Sequence, residues 1–214
     1  GNVFLRVSQI DKFRACGLLL AQNTMAAKFS NTRQLIRRTL HDNADLREDD
    51  KIQKVLEVLK TGIDQVYNAQ GIEEVIGIEG YCAQNYFSIF NKLITNKKVP
   101  FVFEFRTKRP PLDPINAVLS FVYTLATGEF AAALETVGLD SYIGYCHTLR
   151  SGRSSLACDM VEETRCLVER FVITLFNLKI LNENDFEKQV SGAVWLNDDG
   201  RKKVLARWQE KKRL

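Results

Sequence analysis

The chain has 214 residues, of which 45% are apolar and 26% charged, so it is long enough for one globular domain with a well-buried core. This composition excludes a low-complexity or disordered tail. The net charge of +4 is mildly basic, which permits an acidic partner such as a nucleic acid without requiring one.

Cysteine usage and hydropathy bear on the compartment. The five cysteines form no Cys-x-x-Cys pair, which argues against a zinc ribbon, and their odd number favours reduced thiols. No apolar run reaches the roughly 20 residues of a membrane span, since the closest, 167–181, is interrupted by charged residues. We therefore expect a soluble cytoplasmic protein with no membrane partner. The first residues, from Gly1, read like the middle of a polypeptide, which predicts a fragment of a longer protein.

The first forty residues predict two amphipathic helices, at 7–20 and 23–40, because apolar residues recur there at three-to-four spacing. Basic residues lie on the other side of this pattern, whereas 41–80 is rich in acids. A polyanion is expected to meet the basic block. The candidates for contact with a DNA backbone in this block are Lys28, Arg33, Arg37 and Arg38. A further helical pattern covers 52–67.

Glu79 lies between Gly77 and Gly80, and the pattern that follows predicts a helix with Glu79 at or near its start. The aromatic stretch 101–105 is too short to assign and predicts at most a brief extended segment. A stiff, proline-containing basic connector comes next. It adds two candidates for phosphate contact, Arg106 and Arg109.

The remaining sequence predicts helices joined by short turns. Asp113 and Pro114 indicate an N-cap with proline at the first helical position. The expected elements are a helix at 115–126 stopped by Gly128, a shorter helix at 129–137, a long helix after Asp159, a polar turn-rich stretch at 182–200 and a basic tail helix at 201–214. The fold class predicted is mainly α, a single helical bundle with at most a short extended segment.

His147, one of two histidines in the chain, precedes a pair of acids, Asp159 and Glu162. The acids are three residues apart, so on a helix they share a face and repel one another unless a cation or basic group compensates them. Glu79 adds a third carboxylate from far upstream. Histidine with carboxylates and no thiolate suits Mg²⁺ or Mn²⁺ better than structural zinc.

The same residues also have ordinary explanations. A histidine near two acids is often only hydrogen-bonded, an acidic pair at helical spacing is often solvated, and a carboxylate at a helix start is stabilised by the macrodipole. Spacing alone leaves these alternatives open. With a metal present, Arg150 and Arg153, in the turn between His147 and the acidic helix, are expected to bind phosphate.

Three segments form one ordered pattern, and because the stretches 28–33 and 192–196 also fit it, the pattern covers essentially the whole chain. The three segments are Gly77-Ile-Glu79-Gly80 with Tyr86-Phe87, then Arg106-Thr-Lys-Arg109-Pro110-Pro111-Leu-Asp113-Pro114 with the helix after it, and then Gly144-Tyr-Cys-His147 through Asp159-Met-Val-Glu162-Glu163-Thr-Arg165. This pattern resembles the CRISPR-associated adaptation integrases, the Cas-one family.

The resemblance implies an almost all-helical catalytic domain over 1–214 whose Mg²⁺ or Mn²⁺ is held by a glutamate, a histidine and a second acid. Carried onto this chain, the metal ligands and catalytic residues are Glu79, His147 and Glu162, with Asp159 as second choice. It also implies that the family's small N-terminal β-domain, which resembles a dimerisation element, is absent here. The C-terminal segment is most similar to that of subtype I-C relatives.

By resemblance, the function is a metal-dependent DNA endonuclease and integrase that joins the 3′-OH ends of protospacer DNA to the CRISPR repeat by transesterification. The implied partners are double-stranded DNA and the Cas-two protein, and the full-length form is expected to be a homodimer. Two alternatives stay open. One is a general metal-dependent nuclease acting on branched DNA, and the other is a helical scaffold that binds nucleic acid without catalysis.

Overall fold

The protein is mainly α-helical, which confirms the predicted fold class. The computed structural model describes residues 3–96, 98, 100–147 and 150–212. The helices are α1 (Val3–Asp42), α2 (Asp50–Asn68), α3 (Ile72–Phe87), α4 (Phe90–Leu93), α5 (Pro114–Thr136), α6 (Ser155–Asn177) and α7 (Asp198–Lys212). Short 3₁₀ turns cover Ala44–Leu46 and Glu183–Asp185, and two strands, β1 (Phe186–Lys188) and β2 (Val194–Leu196), form an antiparallel hairpin.

Two predicted helix breaks are wrong. The predicted helices 7–20 and 23–40 are one helix of 40 residues, α1, because no glycine or proline separates them. Gly128 lies inside α5 rather than ending it. A single glycine costs a helix only about 1 kcal/mol, and the good helix formers on both sides outweigh that cost.

The position of Glu79 also differs from the prediction. Helix α3 begins at Ile72, so Glu79 lies in its middle and not near its start. An added Cβ at Gly77 or Gly80 would meet no atom within 4 Å, so neither glycine marks a turn or a close approach. The carboxylate is therefore fixed by a regular helix on both sides, and the macrodipole explanation for it no longer applies.

The C-terminal region contains the only sheet among the described residues. The polar stretch predicted at 182–200 folds into the hairpin, with Phe186 paired to Leu196, and Gly192 adopts a φ of 84° near its turn. The aromatic stretch 101–105 forms no strand. The predicted tail helix at 201–214 begins earlier, as α7, and its last two residues, 213–214, lie outside the described residues.

The chain divides into two compact units. The first comprises Gly1–Tyr86 and Tyr123–Cys166, and the second comprises Phe87–Val122 and Leu167–Leu214. The helices of the first unit are packed around residues with almost no exposed surface, such as Phe29 of α1 and Ile52 of α2. All four candidate metal ligands belong to this first unit. The prediction of one catalytic domain over 1–214 stays a prediction.

In the second unit, the connector before α5 is held by a polar network. Asp113 accepts the backbone N–H of Asn116 at 2.8 Å, which confirms it as the N-cap before Pro114. The guanidinium of Arg106 donates to Asn116 at 2.7 Å and to Ser120 at 3.0 Å. These bonds give Arg106 a structural role in fixing the connector.

Helix α5 is long and apolar enough to cross a membrane by length and composition, contrary to the expectation that no segment would be. The core helix of a soluble protein meets the same criterion, so one such helix is weak evidence for a membrane span. The first half of α5 contributes core residues, Ile115, Val118, Leu119 and Val122, which are completely buried.

Gly62 of α2 tests how tightly the first unit is packed. An added Cβ would lie 2.6 Å from the sulfur of Cys82 and 3.2 Å from the ring of Phe29. Gly62→Ala is therefore expected to lower the free energy of unfolding by about 1–3 kcal/mol, even though alanine is the better helix former. The matched control is Gly128→Ala, where a Cβ meets nothing within 4 Å, and a gain of about 0.5–1 kcal/mol is expected. Urea unfolding measures both, and a stabilised Gly62→Ala protein contradicts the packing.

Candidate metal centre

Two of the predicted acids are brought together by a lysine. Glu79 lies on α3 and Glu162 on α6, and the Lys28 ammonium of α1 contacts Oε1 of Glu79 and lies 2.5 Å from Oε2 of Glu162. Lys28 and Glu162 are buried, whereas 24% of the Glu79 side chain is exposed. Three helices thus converge on a single cation position that is open to solvent on the Glu79 side.

Positive neighbours keep Glu162 ionised. Burial opposes its charge, but Lys28 and Arg165 outweigh that cost and, together with His147, lower the pKa of Glu162 to about 2. Arg165 Nε lies 2.8 Å from Glu162 Oε2, and its guanidinium carbon lies 4.6 Å from the centre of the Tyr123 ring, a cation–π distance. Glu162 therefore has the deprotonated form that a metal ligand needs.

Lys28 is also charged, because the two carboxylates act on it in return. Burial lowers the pKa of Lys28, but the attraction of Glu162 and Glu79 outweighs this effect and raises the pKa above its ordinary value. The Lys28 ammonium thus occupies the position between the two carboxylates. A divalent cation that bound both carboxylates would need the same position.

Asp159 is completely buried, and the loop before α6 uses its whole carboxylate. Oδ2 accepts the backbone N–H groups of Tyr145 at 2.7 Å and Cys146 at 3.0 Å. Oδ1 accepts the backbone N–H of His147 at 3.0 Å and lies 2.5 Å from His147 Nδ1. Each oxygen has two donors, which fills the lone pairs that a carboxylate offers. Asp159 could bind a metal only by giving up these bonds, so the geometry favours Glu162 as the acidic ligand.

The contact with Asp159 also decides which nitrogen of His147 is available. A carboxylate only accepts hydrogen bonds, so Nδ1 carries a proton, and in the neutral form of the ring the lone pair is on Nε2. A carboxylate behind the ring of a histidine is the usual second layer of a metal site, because it fixes both the tautomer and the ring orientation. His147 is close enough to Glu162 to contribute to its lowered pKa.

Gly144 lets the loop that carries His147 lie directly against α6. A Cβ at Gly144 would be 2.5 Å from Oδ2 of Asp159 and 2.9 Å from the carbonyl carbon of Ser155. Gln9 of α1 ties the same loop down, because its side chain donates to the carbonyls of Asp140 and Ile143, both at 3.0 Å. The position of His147 thus depends on a glycine and on α1.

A second group of possible ligands includes His147. Among the described residues, Cys146, His147 and Asp159 have ligand atoms within 4.8 Å of one another, which makes them a possible metal-binding triad. Burial, reinforced by nearby acids, raises the pKa of Cys146 to about 12, so its thiol stays protonated. A thiol beside a carboxylate with four hydrogen bonds does not suit Mg²⁺ or Mn²⁺.

Among the described residues, the ligand atoms of Glu79, His147 and Glu162 do not all lie within 4.8 Å of one another. The Lys28 ammonium contacts both carboxylates. Their donor chemistry nevertheless fits a hard divalent ion. Two carboxylates face one cation position, and an imidazole with an available Nε2 lies nearby. The residues present therefore fit the metal that the sequence resemblance implies.

The predicted DNA-contacting residues differ in exposure. The exposed ones are Arg37, Arg38, Arg109 and Arg150, and the partly or fully buried ones are Lys28, Arg33, Arg106 and Arg153. The Lys28 ammonium is bound by two carboxylates, so in this arrangement it does not face solvent as the sequence suggested. DNA contact by these residues stays a prediction.

Sequence reasoning missed the roles of Lys28 and Gly144 in the site. The expected repulsion between Asp159 and Glu162 required a cation or a basic group, but no spacing in the sequence identified Lys28 as that group. The partners of Lys28 are 51 and 134 positions away. Gly144 was part of the recognised pattern, yet its close approach to Asp159 is visible only in three dimensions.

The fold and the site define a helical protein with a candidate centre for a hard divalent cation. A model of the family described as "CRISPR associated protein Cas1" matches residues 1–210. The chain therefore belongs to the Cas1 family, as its sequence motifs predicted. The comparisons give no subtype, so the similarity to subtype I-C stays a prediction.

Relatives support this assignment over most of the chain. A protein of Leptospira interrogans named CRISPR-associated endonuclease Cas1 is 39% identical over 96% of this chain and 80% of its own length. Another Cas1 endonuclease, from Moorella thermoacetica, is 38% identical over 99% of this chain. A chain in a solved structure described as a partial Cas6-RT-Cas1–Cas2 complex is 29% identical, with a TM-score of 0.79 over 94% of this chain. The chain spans only 63% of the Moorella protein and 59% of the solved chain.

Asp159→Asn tests whether this carboxylate orients His147. An asparagine presents an NH₂ group where the loop needs an acceptor, so we expect His147 to lose its fixed Nδ1–H tautomer and to show a mixture. Long-range ¹H–¹⁵N NMR of the neutral ring measures the tautomers. The matched control is Asp185→Asn, which removes a buried carboxylate held by Lys203 and should leave His147 unchanged. An unaltered tautomer in Asp159→Asn contradicts the orienting role.

Proposed function

We propose that this chain is the helical catalytic part of a metal-dependent DNA endonuclease and integrase that inserts protospacer DNA into a CRISPR array. The observation that carries the proposal is the convergence of Glu79 and Glu162, from separate helices, on one cation position. Membership of the Cas1 family and the endonuclease names of its relatives support the reaction class.

In the proposed reaction, a protospacer 3′-hydroxyl oxygen attacks the phosphorus of a phosphodiester at the repeat. The new P–O bond forms as the bond to the leaving 3′ oxygen breaks, so the number of phosphodiester bonds is unchanged. The attacking hydroxyl loses its proton to solvent, and the leaving oxygen gains one. No oxidant or nucleotide cofactor is needed.

A bound Mg²⁺ or Mn²⁺ would polarise the phosphoryl oxygen and favour deprotonation of the hydroxyl. The chain's own residues have two tasks. Glu79 and Glu162 supply anionic oxygens to hold the ion, and His147 supplies Nε2 while Asp159 fixes its ring. The imidazole makes the donor set more tolerant of Mn²⁺ than of Mg²⁺.

The proposed partners are double-stranded DNA, from the protospacer and the repeat, and a Cas2 protein, with assembly as a homodimer in the full-length form. The Cas2 partner is supported by the likeness to a chain from a Cas1–Cas2 complex, at 29% identity and a TM-score of 0.79. The exposed Arg37 and Arg38 near the end of α1 are the proposed contacts with the DNA backbone. We place the reaction in the cytoplasm.

His147→Ala tests the proposed function. We expect loss of Mn²⁺-dependent strand transfer and cleavage on branched DNA, with helicity nearly unchanged, because a metal ligand is removed from a partly exposed position. The matched control is His41→Ala, which removes the chain's other histidine, 86% exposed as a side chain, and should keep full activity. Gel assays with a labelled 3′-OH strand and far-UV circular dichroism make the comparison. Full activity in His147→Ala contradicts the ligand role, and equal cleavage of linear and branched DNA favours a general nuclease.

Replacing Arg37 and Arg38 by alanine tests the DNA surface. We expect weaker DNA binding and a flatter salt dependence, by about 0.9 in the slope of log K against log salt for each phosphate that the protein no longer neutralises. The matched control replaces Lys211 and Lys212, exposed basic residues at the end of α7. It removes the same charge from the second unit. Fluorescence anisotropy across a salt series measures the slope, and equal changes in both double variants contradict a specific contact.

A further inference from the structure

We propose that Lys28 is a displaceable internal cation: it holds the metal position in the metal-free protein and leaves that position when a divalent ion binds. This inference rests on the proposed metal site. It adds a residue that sets the affinity of the site and is not itself a ligand.

Lys28 and the proposed metal compete for the carboxylates of Glu79 and Glu162. The ammonium contacts Glu79 Oε1 and lies 2.5 Å from Glu162 Oε2. A Mg²⁺ ion binds carboxylate oxygens at about 2.1 Å. An ammonium and a divalent ion that shared these two oxygens would lie in near contact with like charges, at a buried site where repulsion is strong. A metal bound to these same oxygens therefore displaces the ammonium from them.

Lys28, and not Arg165, is the cation able to leave. Arg165 is planar and lies over the Tyr123 ring with its guanidinium carbon 4.6 Å from the ring centre, so it is fixed on two sides. Lys28 has a compact ammonium on a flexible four-carbon stem. It also contacts Glu79, the partly exposed member of the pair, so the more solvent-exposed side of the site lies next to its ammonium.

The contacts of Lys28 differ from those of Lys203, which forms an ordinary buried ion pair. Lys203 contacts both oxygens of one carboxylate, Asp185, at 2.7 and 2.9 Å, so one positive charge meets one negative charge. Lys28 instead bridges two carboxylates on two helices. Without a cation, these two carboxylates would repel one another and separate. Lys28 therefore keeps the proposed ligands in place before the metal arrives, and its departure lowers the metal affinity.

Isothermal titration of the metal-free protein with Mn²⁺ tests the proposal. Lys28→Met should bind Mn²⁺ at least about tenfold more tightly than the wild type, because the competing charge is gone. In chelator, the same variant should unfold at a lower temperature. Lys28→Arg keeps the charge and should stay within a few-fold of the wild-type affinity. The matched control, Lys203→Met, loses an ion pair within the second unit and should bind Mn²⁺ like the wild type.

A second measurement uses the wild type and so does not depend on a variant that folds. Acetylation with a water-soluble reagent, followed by peptide mass spectrometry, should find Lys28 protected in chelator and reactive at saturating Mn²⁺. Protection in both conditions overturns the displacement. Unchanged Mn²⁺ affinity in Lys28→Met, with binding still abolished in Glu79→Gln, also overturns it but leaves the metal site intact. Mn²⁺ binding that is the same in wild type and Glu79→Gln overturns the metal site itself.

Discussion

A buried carboxylate with a second carboxylate close to it needs a positive charge to compensate it. Here the compensation comes from α1, whose Lys28 ammonium joins Glu79 of α3 to Glu162 of α6. Removing one partner of a buried ion pair commonly costs a protein about 3–5 kcal/mol, because the other charge is left unpaired. The geometry of the candidate site therefore depends on this one electrostatic contact.

Asp159 and Glu162 show how neighbouring acids on one helix acquire different tasks. Asp159 is the closer to the start of α6, where the loop before the helix turns four donors onto its two oxygens. Glu162, one turn later, faces Lys28 and Arg165 instead. From their spacing alone, either acid could be the metal ligand. Their hydrogen bonds distinguish them, because a carboxylate without spare lone pairs is poorly suited to bind a metal.

The sequence predicts local structure well and long-range charge pairing poorly. Periodicity located the helices, and Asp113 with Pro114 located the start of α5, because these signals lie within one or two turns. Gly128 misled the prediction, because one glycine does not stop a strongly helical segment. The motifs supplied the candidate ligands, yet Lys28 resembled any basic residue on an amphipathic helix. Its burial depends on helices far away in the chain, which no local pattern encodes.

Because α1 is continuous, it fixes the distance between the candidate metal site and the proposed DNA-contacting arginines. Lys28 and Arg38 are ten residues apart on one unbroken helix, which fixes their separation along its axis at about 15 Å. Successive phosphates of one DNA strand rise by about 3.4 Å along the duplex. A duplex whose axis ran parallel to α1 would advance by between four and five base steps over this distance. A kink between Lys28 and Arg38 would change this spacing although it would replace none of the proposed metal ligands.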